Sequence, residues 1–166
     1  MRFSLTPRPP GFTEYSAVAD KFPKRVLLQG YKLADSSGLT FGEMQAFVDW
    51  LARETGFSTV QVLPTSDEDS DGGNFFAAAY LNPATFKTLA EANDPTLVTL
   101  RRLAQNQNQG GTAIRMTIPR SRNRYVLAHE FAHHIEWTQN LHLSFHGRAF
   151  YRALRTCIRV ARKYPG

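Results

Sequence analysis

Two histidines one helical turn apart, His129 and His133, enclose Glu130 in the stretch Tyr125-Val126-Leu127-Ala128-His129-Glu130-Phe131-Ala132-His133-His134. Residues four apart on a helix share a face, so both imidazoles can reach one metal ion while the Glu130 carboxylate leans over the same cleft. Neutral imidazole nitrogens suit Zn²⁺, and two or three of them leave a coordination place for a water whose proton a carboxylate can take. That is the chemistry of metal-assisted hydrolysis. All five histidines of the chain (His129, His133, His134, His142 and His146) fall in this one segment, whereas histidines with unrelated core roles would be scattered.

A three-ligand site needs a further donor, and after Glu136 the chain holds no Asp or Glu, which excludes a downstream carboxylate. The candidates are His142, His146 and the lone Cys157. The spacing H-E-x-x-H-x-x-G-x-x-H is absent, because Gln139 stands where its third histidine would be. The residues favour His146, with His142 the alternative. Gly147 would let the backbone turn tightly beside the metal, and Phe150 would anchor the following helix in the core. His134 points away from the face shared by His129 and His133 and is read as an outer-sphere or surface residue. Tyr80, Tyr125, Tyr151 and Arg148 have the chemistry to polarise a carbonyl, but the sequence places none of them.

His129-Glu130-x-x-His133, followed after a loop by His146-Gly147-x-x-Phe150, resembles the SprT-like zinc metallopeptidases, whose eukaryotic relatives, the Spartan proteases, degrade proteins crosslinked to DNA. The resemblance covers residues 112–150. It implies that His129, His133 and His146 hold one Zn²⁺ per chain, that Glu130 is the general base, and that the substrate is a protein associated with DNA. One departure stands out: many SprT-like chains carry a cysteine-rich zinc ribbon, and a single Cys157 cannot build one.

The elements that must position these residues can be read from local patterns. Ser121 or Asn123 can cap the metal helix, and Tyr125, Ala128, Phe131, Ala132 and Ile135 supply its buried stripe. Before it, residues 112–118 alternate, which predicts a half-buried strand; at the edge of a sheet it would line the cleft and accept an extended peptide. Thr40 with Glu43 forms a capping box opening a helix that ends at Gly56, and residues 58–63 read as a strand closed by Pro64. Residues 25–30 read as a short strand, 74–81 as another, and Asp94-Pro95 as the start of a further helix. Residues 1–24 read as an arm laid over the surface. Residues 67–73 repeat the opening of an EF-hand loop, but Ala78 stands where its bidentate Glu is required, so a solvated acidic loop is the simpler reading.

The net charge of +6 is unevenly placed: residues 1–136 hold 14 basic and 14 acidic side chains, residues 137–166 hold 6 and none. Residues 147–163 read as a basic C-terminal helix, on which Arg148, Arg152, Arg155, Arg159 and Arg162 form one stripe. A continuous arginine stripe is an electrostatic footprint for phosphate backbones, so DNA is an expected partner. No stretch is long and apolar enough for a signal peptide or a membrane span, and one cysteine builds no disulfide framework, so a cytoplasmic protein is expected. With 166 residues and 42% hydrophobic content, the chain suits a single compact α+β domain of zincin-like type. A zinc metalloendopeptidase is the leading expectation. The rivals are a non-proteolytic nucleic-acid-binding protein with structural zinc, and a regulatory peptidase that cleaves one partner.

Overall fold

A computed structural model describes residues 21–30, 33, 38–64, 78–82, 112–116, 122–139 and 146–166. Its order is α1 (Lys21–Gly30), α2 (Phe41–Thr55), β1 (Gln61–Pro64), β2 (Ala78–Leu81), β3 (Ala113–Met116), α3 (Arg124–Thr138) and α4 (Arg148–Ala161). Among the described residues, four helices and a three-stranded mixed sheet make an α+β arrangement. The acidic loop, the segment opening at Asp94, residues 1–20 and His142 lie outside the described residues.

Helix α2 carries the expected ends. Thr40 Oγ1 accepts from the Glu43 N–H and Glu43 Oε2 accepts from the Thr40 N–H, closing the capping box. Gly56, at φ 80°, ends the helix in the left-handed conformation that glycine adopts without penalty. Met44, Phe47, Val48, Leu51 and Ala52 face the core.

Residues 25–30 are helical, not the strand their composition suggests. A strand would bury alternate residues; here Val26, Leu27 and Gly30 are buried while Leu28 is exposed, which is helical phase. Gly30 sits against the Tyr125 ring, where an added Cβ would overlap the ring carbons. Close approach of α1 to α3 therefore demands glycine, a tertiary requirement that no local pattern announces.

The sheet order is β1-β3-β2, with β3 parallel to β1 and antiparallel to β2. Strand β3 is thus central and not the expected edge. Ala113, Ile114 and Met116 are all buried, so both faces of β3 are covered, as befits an inner strand. The outer side of β1 is closed by Gln45 of α2. Its side-chain amide donates to the Val60 carbonyl and accepts from the Val62 N–H, completing the pairing that a neighbouring strand would make. Among the described residues the other edge strand is β2, which runs beside α3.

Eleven of the fifteen residues of α3 are buried, including His129, Glu130, His134 and Glu136. A helix covered nearly all round is a central element. It packs against α2, α4, β2 and β3. Asn123 is its N-cap, with Oδ1 accepting from the Val126 N–H at 2.9 Å. Helix α4 buries Phe150, Tyr151, Ala153, Leu154, Cys157, Ile158 and Ala161. Cys157 is the core thiol that its place on an apolar face predicts, and burial pushes its pKa up. Tyr164 continues the packing beyond α4, meeting Phe47 and Trp50 edge-on with centroids 5.2 Å away in each case.

Candidate metal centre

His129 and His133 leave α3 on one face, and His146 reaches the same point from the turn before α4. Their ligand-capable atoms all lie within 4.8 Å of one another. His133 Nε2 and His146 Nε2 stand 3.1 Å apart. Two nitrogens on a tetrahedral zinc would be separated by about 3.3 Å, given Zn–N bonds of about 2.0–2.1 Å. The structure therefore brings together His129, His133 and His146 as a group able to hold a metal.

The backbone device differs from the expected one. His146 itself takes the left-handed conformation, φ 54°, while Gly147 is extended at φ −81° and serves as the N-cap of α4. Left-handed backbone is uncommon outside glycine, although histidine is among the side chains that tolerate it best. The turn that aims the third imidazole is thus made by His146 itself.

Phe150 is the floor of the site. Its ring stacks on His133 with centroids 4.4 Å apart and meets His129 and His146 at 4.9 and 4.8 Å. It is fully buried, so it fixes three rings at once and keeps water from beneath them. Its spacing four residues beyond His146 was the only sequence signal for this role. On the far side of His133, Glu136 Oε1 lies 3.9 Å from Nδ1, too long for a hydrogen bond.

The electrostatics suit a metal more than a proton. Burial, with His133 and His146 nearby, holds the His129 pKa well below the usual imidazole value. Burial and the neighbouring His133 push His146 down to about 3. Both rings are therefore neutral near pH 7, the form in which a histidine lone pair binds a divalent cation.

Glu130 lies one residue round the helix from His129 and is 8% exposed, so it is held within the protein rather than in solvent. Its Oε2 accepts a 2.7 Å hydrogen bond from the main-chain N–H of Tyr80 in β2. The Tyr80 hydroxyl lies 2.9 Å from His134 Nδ1, and His134 Nε2 lies 2.9 Å from the Ser58 carbonyl oxygen. A carbonyl can only accept, so Nε2 carries the proton and the Tyr80 phenol donates to Nδ1. His134 is thus no ligand, as its place on the helix predicts, and no surface residue either: it is 3% exposed. Tyr80 is engaged by its phenol, and Tyr125 and Tyr151 are buried.

The five arginines are brought to one side. Arg148, Arg152, Arg155, Arg159 and Arg162 are all exposed. At 100° per residue they fall within an arc of about 80°, opposite the buried face of α4. Arg162 also donates to the Gln29 carbonyl at 3.1 Å, tying the end of α4 to α1. The stripe begins two residues after His146. Among the described residues, no helix is long and apolar enough to cross a membrane.

No family model matches the chain, and neither a curated protein nor a solved structure matches it. Function has to be read from the site's own geometry.

Proposed function

We propose that this chain is a zinc-dependent metalloendopeptidase of SprT-like, zincin-like kind. The observation that carries the reading is the convergence of His129, His133 and His146 beside a buried Glu130 on the same helix. The donor set supports zinc: three imidazoles, with no carboxylate in the group among the described residues, match the borderline-soft preference of Zn²⁺.

When bound, Zn²⁺ supplies Lewis acidity, polarising a carbonyl and acidifying a water. The protein's own groups do the rest. Glu130 takes a proton from the water at its carboxylate as the water oxygen bonds to the scissile carbonyl carbon. It then delivers that proton to the amide nitrogen as the C–N bond breaks. The Tyr80 N–H holds Oε2 in place, and Phe150 keeps the three imidazoles converged. Glu130→Gln keeps the shape and removes the base, so zinc content should be unchanged while hydrolysis falls by about 10²–10⁴-fold. Full activity in a zinc-loaded Glu130→Gln protein would refute the assignment.

The exposed arginine stripe supports DNA-associated proteins as substrates, because DNA lying along α4 would run toward the metal centre. The same stripe favours a second reading, a nucleic-acid-binding protein in which zinc is structural. That reading requires DNA affinity that falls steeply with salt and no hydrolysis from the wild-type chain. A regulatory peptidase cleaving one partner would instead be indifferent to the arginines.

A further inference from the structure

Helix α3 carries two pairs of residues at i, i+4 spacing, side by side. His129 and His133 face the third imidazole, while Glu130 and His134 face strand β2. Tyr80 meets both members of the second pair. Its main-chain N–H goes to Glu130 Oε2 and its phenol goes to His134 Nδ1, so one residue of an edge strand spans a full turn of the helix. His134 is anchored at its other nitrogen by the Ser58 carbonyl, with Ser58 Oγ a further 3.1 Å contact. The Tyr80 and His134 rings also meet edge-on at 5.4 Å, and Phe131 backs His134 at the same centroid distance. Ser58 precedes β1, so the chain of contacts links both outer strands to the helix.

We infer that the Tyr80–His134–Ser58 chain is a positioning device: by clamping the edge strand to α3, it aims the Tyr80 main-chain N–H at the Glu130 carboxylate.

A strand four residues long has little to hold its register at a sheet edge, and a carboxylate on a helix has several rotamers. Either freedom would separate Tyr80 N from Glu130 Oε2. The phenol–imidazole bond removes the first by pinning β2 one helical turn from Glu130, and the resulting N–H removes the second by fixing the carboxylate. His134 acts as donor on the Ser58 side, where a carbonyl can only accept, and as acceptor on the Tyr80 side. Burial keeps the Tyr80 phenol protonated and able to donate. Neither side chain needs to touch substrate.

This inference rests on the proposed role of Glu130, but its first readout needs no catalysis. In ¹⁵N-labelled protein, an amide proton donated to a carboxylate resonates downfield. Glu130→Gln should therefore move the residue-80 signal upfield, which identifies the bond. Tyr80→Phe and His134→Ala, each leaving Glu130 in place, should move the same signal upfield as well. His134→Gln, which offers one acceptor and one donor, should restore it in part. In zinc-loaded enzyme, Tyr80→Phe should lower kcat by about 10-fold with KM and zinc content unchanged, the mark of a base held less well. If the residue-80 amide stays at its wild-type position in Tyr80→Phe and His134→Ala, and only thermal stability falls, the chain is packing alone and the inference is overturned. If instead the amide responds as described while wild-type protein cleaves nothing, the clamp stands and the peptidase reading fails.

Discussion

His146 concentrates the demands of the site in one residue, because it supplies both the third imidazole and the left-handed turn that aims it. A φ of 54° costs a non-glycine residue about 1 kcal/mol or more, and such backbone persists where surrounding structure compels it. The approach of His146 to His129 and His133 was readable from His146-Gly147-x-x-Phe150; the turn was not, because glycine invites the assignment that histidine in fact carries. The Phe150 floor was only half readable, as a core anchor. Phe150→Leu should leave the fold intact and weaken zinc binding by about 10–100-fold, since the Phe150 ring meets all three imidazoles at once; calorimetric titration would show it, and wild-type affinity would contradict it. A pH dependence follows from the buried rings. His129, His134 and His146 all have pKa values below 6.5 in the folded chain, so the unfolded chain binds more protons below that pH. The stability of metal-free protein should therefore fall as pH drops from 6.5 toward 5, continuing until the folded pKa values are passed. Melting temperature against pH in the presence of a chelator measures this, and a flat profile between pH 7 and 5 would count against neutral burial.

At the scale of elements, helices with chemical punctuation were plain in the sequence. Thr40, Glu43 and Gly56 delimit α2, and Asn123 opens α3, because capping groups act within one turn and leave a local signature. Thr40→Ala and Asn123→Ala should each destabilise by about 1 kcal/mol, Asn123 more because the Val126 N–H it serves is buried. What depends on distant partners was not readable. Val26-Leu27-Leu28 has no decisive period, and α1 is fixed as a helix by tertiary packing, against α4 and, at Gly30, against the Tyr125 ring of α3. Gly30→Ala should cost about 1–3 kcal/mol through overpacking, visible as a lowered denaturant midpoint; an unchanged midpoint would show that the Tyr125 ring yields freely. Strand β3 alternates like an edge, yet its position between β1 and β2 is set by pairing across long stretches of chain. The β2 clamp was hidden for the same reason: His134 lies at i+4 from Glu130 in plain view, but nothing near Tyr80 in sequence names its partner.

Among the described residues, charge and chemistry are segregated: the three-histidine group, with His129 buried and His133 and His146 part-buried, lies at one end of α4, and the five arginines are exposed along it. If DNA lies on that face, log affinity should fall with log salt at a slope of about −0.9 for each phosphate neutralised. Arg152→Ala and Arg159→Ala together should reduce that slope by about 2 and leave zinc content unchanged. A slope indifferent to both substitutions would remove DNA from the account while leaving hydrolysis untouched. The composition announced this asymmetry, since acidic residues cease at Glu136, and the helix phase then fixed which face the arginines share. Three histidines, two from α3 and one from the turn before α4, converge to within reach of one ion. Zinc titration of the purified chain by calorimetry tests it most directly, using His146→Asn, which tolerates left-handed backbone, beside His142→Asn. One ion per wild-type chain is expected, with affinity lowered by at least about 100-fold in His146→Asn and retained in His142→Asn. A wild-type chain that takes up no zinc, or one whose affinity depends on His142 and not on His146, would contradict the centre described.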